Sequence, residues 1–289
     1  MPTTCLITPA YGKDIQRFVL LRESLEACGV EMDHVVVVHT EDVAQFKSLP
    51  NRKRLEILTT EEILPAWLEN RRVISSLKKW DPRRLLPVSP IGGWSVQMYT
   101  KIFTILRCNY DTAVCIDSDM VAIRKFGADD FHTESGTPHL YRFTAELDVE
   151  MVEWVGRSMR LLGVSPCGHP AKKYTYSPLP IRRDVLVEMT LHIQRRYQMN
   201  WIEAFMKDEW VTEYATYGAY AEHVDKLKRV TPVIPKIAAW CFKPEDARDF
   251  GGFLRRALAD PCVKLLGIQS NMGIASDTYA DQIKAAWKS

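Results

Sequence analysis

Long apolar runs are missing from this chain. Nowhere do about 18 apolar residues follow one another, so no segment is expected to span a bilayer as a helix. The start, MPTTCLITPAYGK, lacks the basic residues and the apolar run of a secretory signal, and export is not expected. An excess of charge of one sign is missing too: 38 Lys and Arg face 36 Asp and Glu, a net +2 at pH 7. The basic pairs Arg71-Arg72, Arg83-Arg84, Arg182-Arg183, Arg195-Arg196 and Arg255-Arg256 are scattered instead of gathered into one tract. Nucleic acid is therefore not an expected partner. The pairs read as solvated helix faces, the other reading being peripheral contact with an anionic membrane surface or a phosphorylated substrate. The seven cysteines are odd in number and contain no C-x-x-C pair, which argues against a disulfide framework or a zinc knuckle and for a reducing, cytoplasmic setting. Neither G-x-G-x-x-G nor G-x-x-x-x-G-K-[ST] occurs, so neither a dinucleotide fingerprint nor a P-loop is available to bind phosphate.

What is present is enough apolar material, 46% of 289 residues, for one large core. Thr4 to Thr8, His34 to His39 and Leu55 to Leu58 read as strands. Between the first two, Ile15, Phe18, Val19, Leu21 and Leu25 recur at helical spacing. Strand, helix, strand, helix, strand predicts an α/β fold: a mostly parallel, Rossmann-like sheet flanked by helices. No repeat, low-complexity tract or disordered linker interrupts it. A single domain over residues 1–289 is expected, with residues 1–126 as a nucleotide-binding half and 127–289 as a covering half.

The most informative stretch is Thr112 to Phe126, TAVCIDSDMVAIRKF. A short apolar run suits a strand buried on both faces, and ligands of open α/β sheets sit beyond the carboxyl ends of such strands. Asp117, Ser118 and Asp119 fall there. Residues i and i+2 of extended chain share a side, so both carboxylates could face one small hard cation. Upstream, Pro82, Pro87 and Pro90 form a stiff lead into Gly92-Gly93-Trp94, and a helix follows. On it Tyr99, Ile102, Phe103 and Leu106 face the core, and Gln97 and Lys101 share the opposite face. Downstream, helices are expected over 146–162, 185–197 and 201–206, and an ordered loop over 163–180, where prolines stand at 166, 170, 178 and 180. In Thr212 to His223, Tyr214, Tyr217, Ala221 and Val224 form a buried stripe. Gly218 inside that helix implies a close neighbour. Late strands are expected at 237–242 and 263–268, then Gln269-Ser270-Asn271 and a closing helix from Ser276 or Asp277.

Three pieces in order, G-W-x-x-Q-x-x-x-K (Gly93, Trp94, Gln97, Lys101), strand-D-S-D (Asp117 to Asp119) and T-E-Y-x-x-Y-G (Thr212 to Gly218), carry a resemblance. The chain resembles GT-A-type glycosyltransferases, in particular a group of bacterial transferases, across most of residues 4–271. The resemblance implies a GT-A-like fold and transfer of a sugar from a nucleoside-diphosphate sugar to a glycan or other hydroxyl acceptor, in bacterial glycan or polysaccharide synthesis. It also implies a divalent metal, Mn²⁺ or Mg²⁺, to carry the leaving diphosphate's charge. Asp119 would bind the metal directly, and Asp117 through water or while holding the ribose. Lys101 would meet the diphosphate or donor sugar. The donor side would further include Thr8, Pro9, Tyr11, Trp94, Gln97 and Ser118. For an inverting transfer a base is needed, with Glu213 the first candidate and Asp208 the second. A helix dipole at Glu213 would lower its pKa.

One departure from such enzymes is that no histidine follows His223 to serve as a late metal ligand, leaving Gln269, Ser270 or Asn271 to approach instead. Two other readings stand beside this one. Asp117-Ser118-Asp119 also resembles the first motif of haloacid-dehalogenase-type phosphohydrolases, with Asp117 as nucleophile. That chemistry needs a later acidic pair, for which only Glu245, Asp246 and Asp249 offer themselves. The third reading is a nucleotide- or sugar-binding module without turnover.

Overall fold

The valine- and isoleucine-rich runs near the start become neighbouring parallel strands. In the computed structural model, which describes residues 2–50, 53–68, 70, 93–144, 149–165, 172–208, 210–270 and 274–287, β1 (Thr4–Pro9) lies between β2 (Asp33–Val38) and β4 (Thr112–Cys115). β3 (Leu55–Thr59) pairs with β2, and β9 (Leu179–Arg182) pairs with β4, giving the order β3-β2-β1-β4-β9. The first four are parallel and β9 is antiparallel. Leu6, Ile7, Val36, Val38 and Val114 are fully buried, as strands covered on both faces require. The crossovers are α1 (Ile15–Ala27), α2 (Val43–Lys47), α3 (Thr60–Ile63) and α4 (Gly93–Arg107). In α1 the buried Ile15, Phe18, Leu21 and Leu25 repeat every three or four residues and form its core face. The molecule is an α/β single domain with a mixed, mostly parallel, Rossmann-like sheet.

Beyond β4 the chain builds a second layer. β5 (Met120–Ala122) leaves the main sheet and pairs antiparallel with β12 (Leu265–Ile268), which pairs parallel with β11 (Ala238–Cys241). This sheet has its own core, in which Val121, Leu266 and Ile268 meet Phe250, Phe253, Tyr279 and Ile283. The last four residues lie on α10 (Phe250–Ala259) and α11 (Asp277–Ala286), and α9 (Pro244–Arg248) precedes them. Between β5 and β11 come β6 (His139–Tyr141), β7 (Phe143–Thr144), α5 (Val149–Leu162), β8 (Lys172–Lys173), α6 (Arg183–Tyr197), α7 (Trp201–Phe205), α8 (Glu213–Ala219) and β10 (Thr231–Val233). Among the described residues no helix is long and apolar enough to cross a membrane. Of the basic pairs, Arg182 meets Asp184, Arg195 meets Glu188 and Arg256 meets Asp246. Arg71-Arg72, Arg83-Arg84, Pro82, Pro87, Pro90, Gly92, Pro166, Pro170 and Asn271 lie outside the described residues.

Two strands that carry proline are not expected from the sequence. Pro178 and Pro180 argue for a loop up to residue 180, yet Leu179–Arg182 closes the main sheet, and β10 carries Pro232. Both are end strands of their sheets, where a residue without an N–H is tolerated. Tyr217 OH accepts the Arg182 N–H at 3.0 Å, so part of the β9 edge is covered by a side chain.

Gly218 has the close neighbour its position implies. A Cβ there would stand 2.2 Å from Cγ of Tyr174, whose side chain is buried against the helix. Gly218→Ala gains ~1 kcal/mol of helix propensity and loses more to overpacking, which costs about 1–3 kcal/mol. Urea denaturation should therefore show a net destabilised variant, and unchanged stability would mean that the Tyr174 ring moves aside freely.

Candidate functional site

Thr112–Cys115 is extended by one residue before the chain turns: the Ile116 N–H still donates to Ile7 O at 3.0 Å. Asp117, Ser118 and Asp119 then form a tight connection closed by Met120 N–H to Asp117 O at 3.1 Å, and β5 begins at once. The two aspartates thus stand where the chain passes from β4 of one sheet to β5 of the other.

Thr8 supports this turn from beneath. It is fully buried, and its hydroxyl donates to Ile116 O at 2.8 Å and meets His34 Nε2 at 2.8 Å. Arg22 Nη1 approaches His34 Nδ1 at 3.0 Å. Burial, with the Arg22 charge adding to it, pushes the His34 pKa well down, so the ring is neutral. A donor on Nδ1 leaves the ring proton on Nε2, directed at Thr8. Thr8 therefore anchors the strand end and does not line the cleft, which corrects its expected donor-binding role.

The cleft above the turn has a volume of about 580 Å³. Pro9, Tyr11, Trp94, Gln97, Lys101, Asp117, Ser118, Asp119 and Glu213 all line it. Asp208 does not. Its carboxylate is held by Arg157 Nη1 at 2.9 Å and by the Trp210 N–H at 3.0 Å, so the second candidate base is occupied elsewhere. Glu245, Asp246 and Asp249 are also absent from the lining; Asp246 pairs with Arg256 and Asp249 caps α10 through the Gly252 N–H. The sequence reading missed Lys13 and Asp14, although only Gly12 separates them from Tyr11. It also missed Trp154, Thr175, Trp240 and Phe242, which reach the cleft through tertiary packing alone.

Lys101 is the electrostatic centre of the floor. It is buried, with its Nζ 3.1 Å from Asp117 Oδ1, 3.3 Å from Glu213 Oε1 and 2.9 Å from Tyr214 OH. Burial alone would lower its pKa, but the Asp117 carboxylate, Tyr214 and the Glu213 carboxylate more than offset this and hold it well above its usual value. Glu213 opens α8, as expected, with Thr212 capping the helix by accepting the Ala215 N–H at 3.1 Å. Its pKa moves up, however, not down. Burial outweighs both the Lys101 charge and the backbone at the helix start.

Asp119 sits differently. Oδ2 accepts the Ser270 N–H at 3.0 Å, whereas Oδ1 is buried with no hydrogen-bond partner. Burial first, and the neighbouring Asp117 charge second, push its carboxyl up to about 7. Gln269 and Ser270 reach the cleft, as expected, but Ser270 offers Asp119 a donor, which is no metal ligand. Arg17 Nη2 donates to Ile274 O at 3.0 Å and fastens the segment just beyond. Among the described residues no cluster of three or more His, Cys, Asp or Glu could hold a metal. Two carboxylates, one with an orphaned oxygen, fit a cation such as Mg²⁺ that keeps several waters and takes its other ligands from substrate phosphates. They do not fit a cation that needs an all-protein cage.

Two measurements follow from this floor. Lys101→Met leaves the buried Glu213 carboxylate and the half-buried Asp117 carboxylate without their cation and should cost about 3 kcal/mol in urea unfolding; a loss below ~1 kcal/mol would mean that the cluster is solvated. For Asp119 the folded, metal-free protein keeps its proton up to about pH 7, whereas the unfolded chain loses it near pH ~4. Its contribution to stability is thus present at low pH and declines as pH rises between those values. Asp119→Asn removes the decline, so its thermal midpoint relative to metal-free wild type should climb from about pH 4 to about pH 8; a flat difference would contradict the raised pKa.

A family model described as a family of unknown function, DUF6492, matches residues 2–236, more than four-fifths of the chain. The match takes in every site residue expected from sequence in the catalytic, donor and metal sets, and stops before Trp240, Phe242, Gln269 and Ser270. No curated protein matches the chain. On the extent of that family match, the chain belongs to the DUF6492 family.

Proposed function

We propose that this protein is a metal-dependent glycosyltransferase that moves a sugar from a nucleoside-diphosphate sugar to a hydroxyl acceptor. The observation that carries the reading is the pair Asp117 and Asp119 just past the carboxyl end of β4, opening into one cleft with Lys101 and Glu213. Asp119, with its orphaned Oδ1, and Asp117 would hold Mn²⁺ or Mg²⁺, which when bound neutralises charge on the departing diphosphate. Pro9, Tyr11 and Lys13, at the end of β1, are suited to the nucleoside and its phosphates.

Within this reading Lys101 has a different task from the donor contact expected of it. An ammonium enclosed by Asp117, Glu213 and Tyr214 is not free to travel to a phosphate; it holds the two carboxylates in place and balances their charge. Glu213 is the proton acceptor of choice. In an inverting transfer the acceptor oxygen bonds to the anomeric carbon as the bond from that carbon to the diphosphate oxygen breaks, and the hydroxyl proton passes to Glu213. A carboxylate whose burial raises its proton affinity is better matched to that task near neutral pH than one depressed by a helix dipole. A setting in the cytoplasm and a role in bacterial glycan synthesis belong to the same proposal. Nothing about Glu245, Asp246 or Asp249 favours the phosphohydrolase alternative.

The test is a thermal-shift panel of nucleoside diphosphates and their sugars with and without Mn²⁺, followed by turnover assays on the donor it selects. One nucleotide should raise the midpoint only with metal, since stabilisation follows affinity for the folded state. Asp119→Ala should abolish that rise and reduce turnover by about 10² or more with the fold intact. A flat panel would sink the reading, and metal-dependent binding without turnover would leave a binding module.

A further inference from the structure

The donor reading takes up Trp94 and Gln97 but leaves Trp154, Thr175, Trp240, Phe242 and Gln269 of the same cleft wall without a task. Trp94 from α4 and Trp154 from α5 bring their rings to 5.9 Å at 32°, while Trp240 from β11 and Phe242 just beyond it stack at 4.9 Å with planes 2° apart. All four line the same cavity as the aspartates, together with Gln97, Thr175 and Gln269. Trp94 and Phe242 are 45% and 53% exposed, so this wall spends large aromatic surface on water.

The Trp240 ring is held rigidly. Its Nε1 donates to Ser177 O at 2.9 Å, and its six-membered ring lies over Gly267, where a Cβ would stand 2.3 Å from Cε3. The Trp154 indole Nε1 is shielded from solvent and has no hydrogen-bond partner, so Trp154 offers the cavity its ring and not its N–H. None of these aromatic or amide and hydroxyl residues is charged. The charged groups of the cleft, Lys13, Asp14, Lys101, Asp117, Asp119 and Glu213, are a separate set.

We infer that this wall is the acceptor subsite and that its occupant is the pyranose ring of a saccharide. A phosphate or carboxylate finds no cation among these residues, and an alkyl chain has no use for the polar groups that line the same cavity. A pyranose has both features required: an apolar face of ring C–H bonds that lies on an aromatic face, and a rim of hydroxyls for Gln97, Thr175 and Gln269. Trp240, Phe242 and Gln269 lie beyond residue 236, where the family match ends, so acceptor choice would rest partly on residues outside the shared segment. This inference rests on the transferase reading only for the word acceptor; saccharide binding at the wall stands or falls separately.

The test uses the full chain with methyl α- and β-pyranosides of glucose, galactose, mannose and N-acetylglucosamine, followed by tryptophan fluorescence and saturation-transfer NMR. UDP and GDP are titrated in parallel with Mn²⁺. At least one glycoside should bind saturably with transfer to its ring C–H protons. Phe242→Ala, a change at an exposed ring, should weaken that binding by about ten-fold, with nucleotide binding unchanged and Phe242→Tyr retaining affinity for the glycoside. Absence of binding by every glycoside overturns the proposal, and so does a Phe242→Ala variant that loses nucleotide instead, because the rings would then hold a nucleobase. Glycoside binding without any nucleotide binding supports the subsite and removes the transferase reading.

Discussion

One buried ammonium organises the floor of the cleft. Lys101 is brought in on a helix from the first half of the chain, Asp117 on the turn that follows β4 and Glu213 on a helix from the second half. A lone charge at such depth is prohibitively costly, and so is the buried Glu213 carboxylate without a partner. Lys101 and Glu213 are therefore tolerable only together, with the half-buried Asp117 adding to the balance. Pairs of this kind add little net stability over apolar packing, but they penalise any arrangement that separates their members. Here that penalty falls on relative displacement of three elements distant in sequence, which is how the cleft keeps its shape.

The turn from β4 to β5 makes the second contribution. Because β4 belongs to the main sheet and β5 to the smaller one, Asp117 and Asp119 stand at a junction and not at the mouth of a flexible loop. Each aspartate then acquires its own surroundings. Asp117 is matched by a cation from the first layer, while Asp119 is met by a backbone N–H delivered by the strand of the second. The arrangement leaves one oxygen of Asp119 unclaimed. In a molecule that otherwise pairs its buried polar groups with few exceptions, that is where an added positive charge would do most.

Much of this was legible in the residues. The valine run at 35–38 and the apolar run into Asp117 announce strands buried on both faces, and the stripe through Tyr99 and Ile102 orients α4 so that its other face meets the site. Gly218 advertised a close neighbour without naming Tyr174. What could not be read has physical reasons. Pro180 and Pro232 hide edge strands, because a missing N–H is a fault only where a second partner strand is waiting. Thr8 looks like a strand-end ligand, but its direction depends on the His34 ring at 2.8 Å, a contact between strands. Helix position alone gave the wrong direction for the Glu213 pKa, since burial is a tertiary quantity. Trp154 and Trp240 gave no local signal for the cleft at all.

Gly267 and Trp240 have a consequence for how this protein can change over time. With only a hydrogen on the β12 residue, the indole ring sits on bare backbone, and no larger residue fits unless the ring shrinks or swings away. The two positions therefore behave as a single unit under mutation. A descendant that exchanged one would be expected to exchange the other, so substitutions here should arrive as matched pairs, each pair resurfacing one side of the cavity while Asp117 and Asp119 stay as they are.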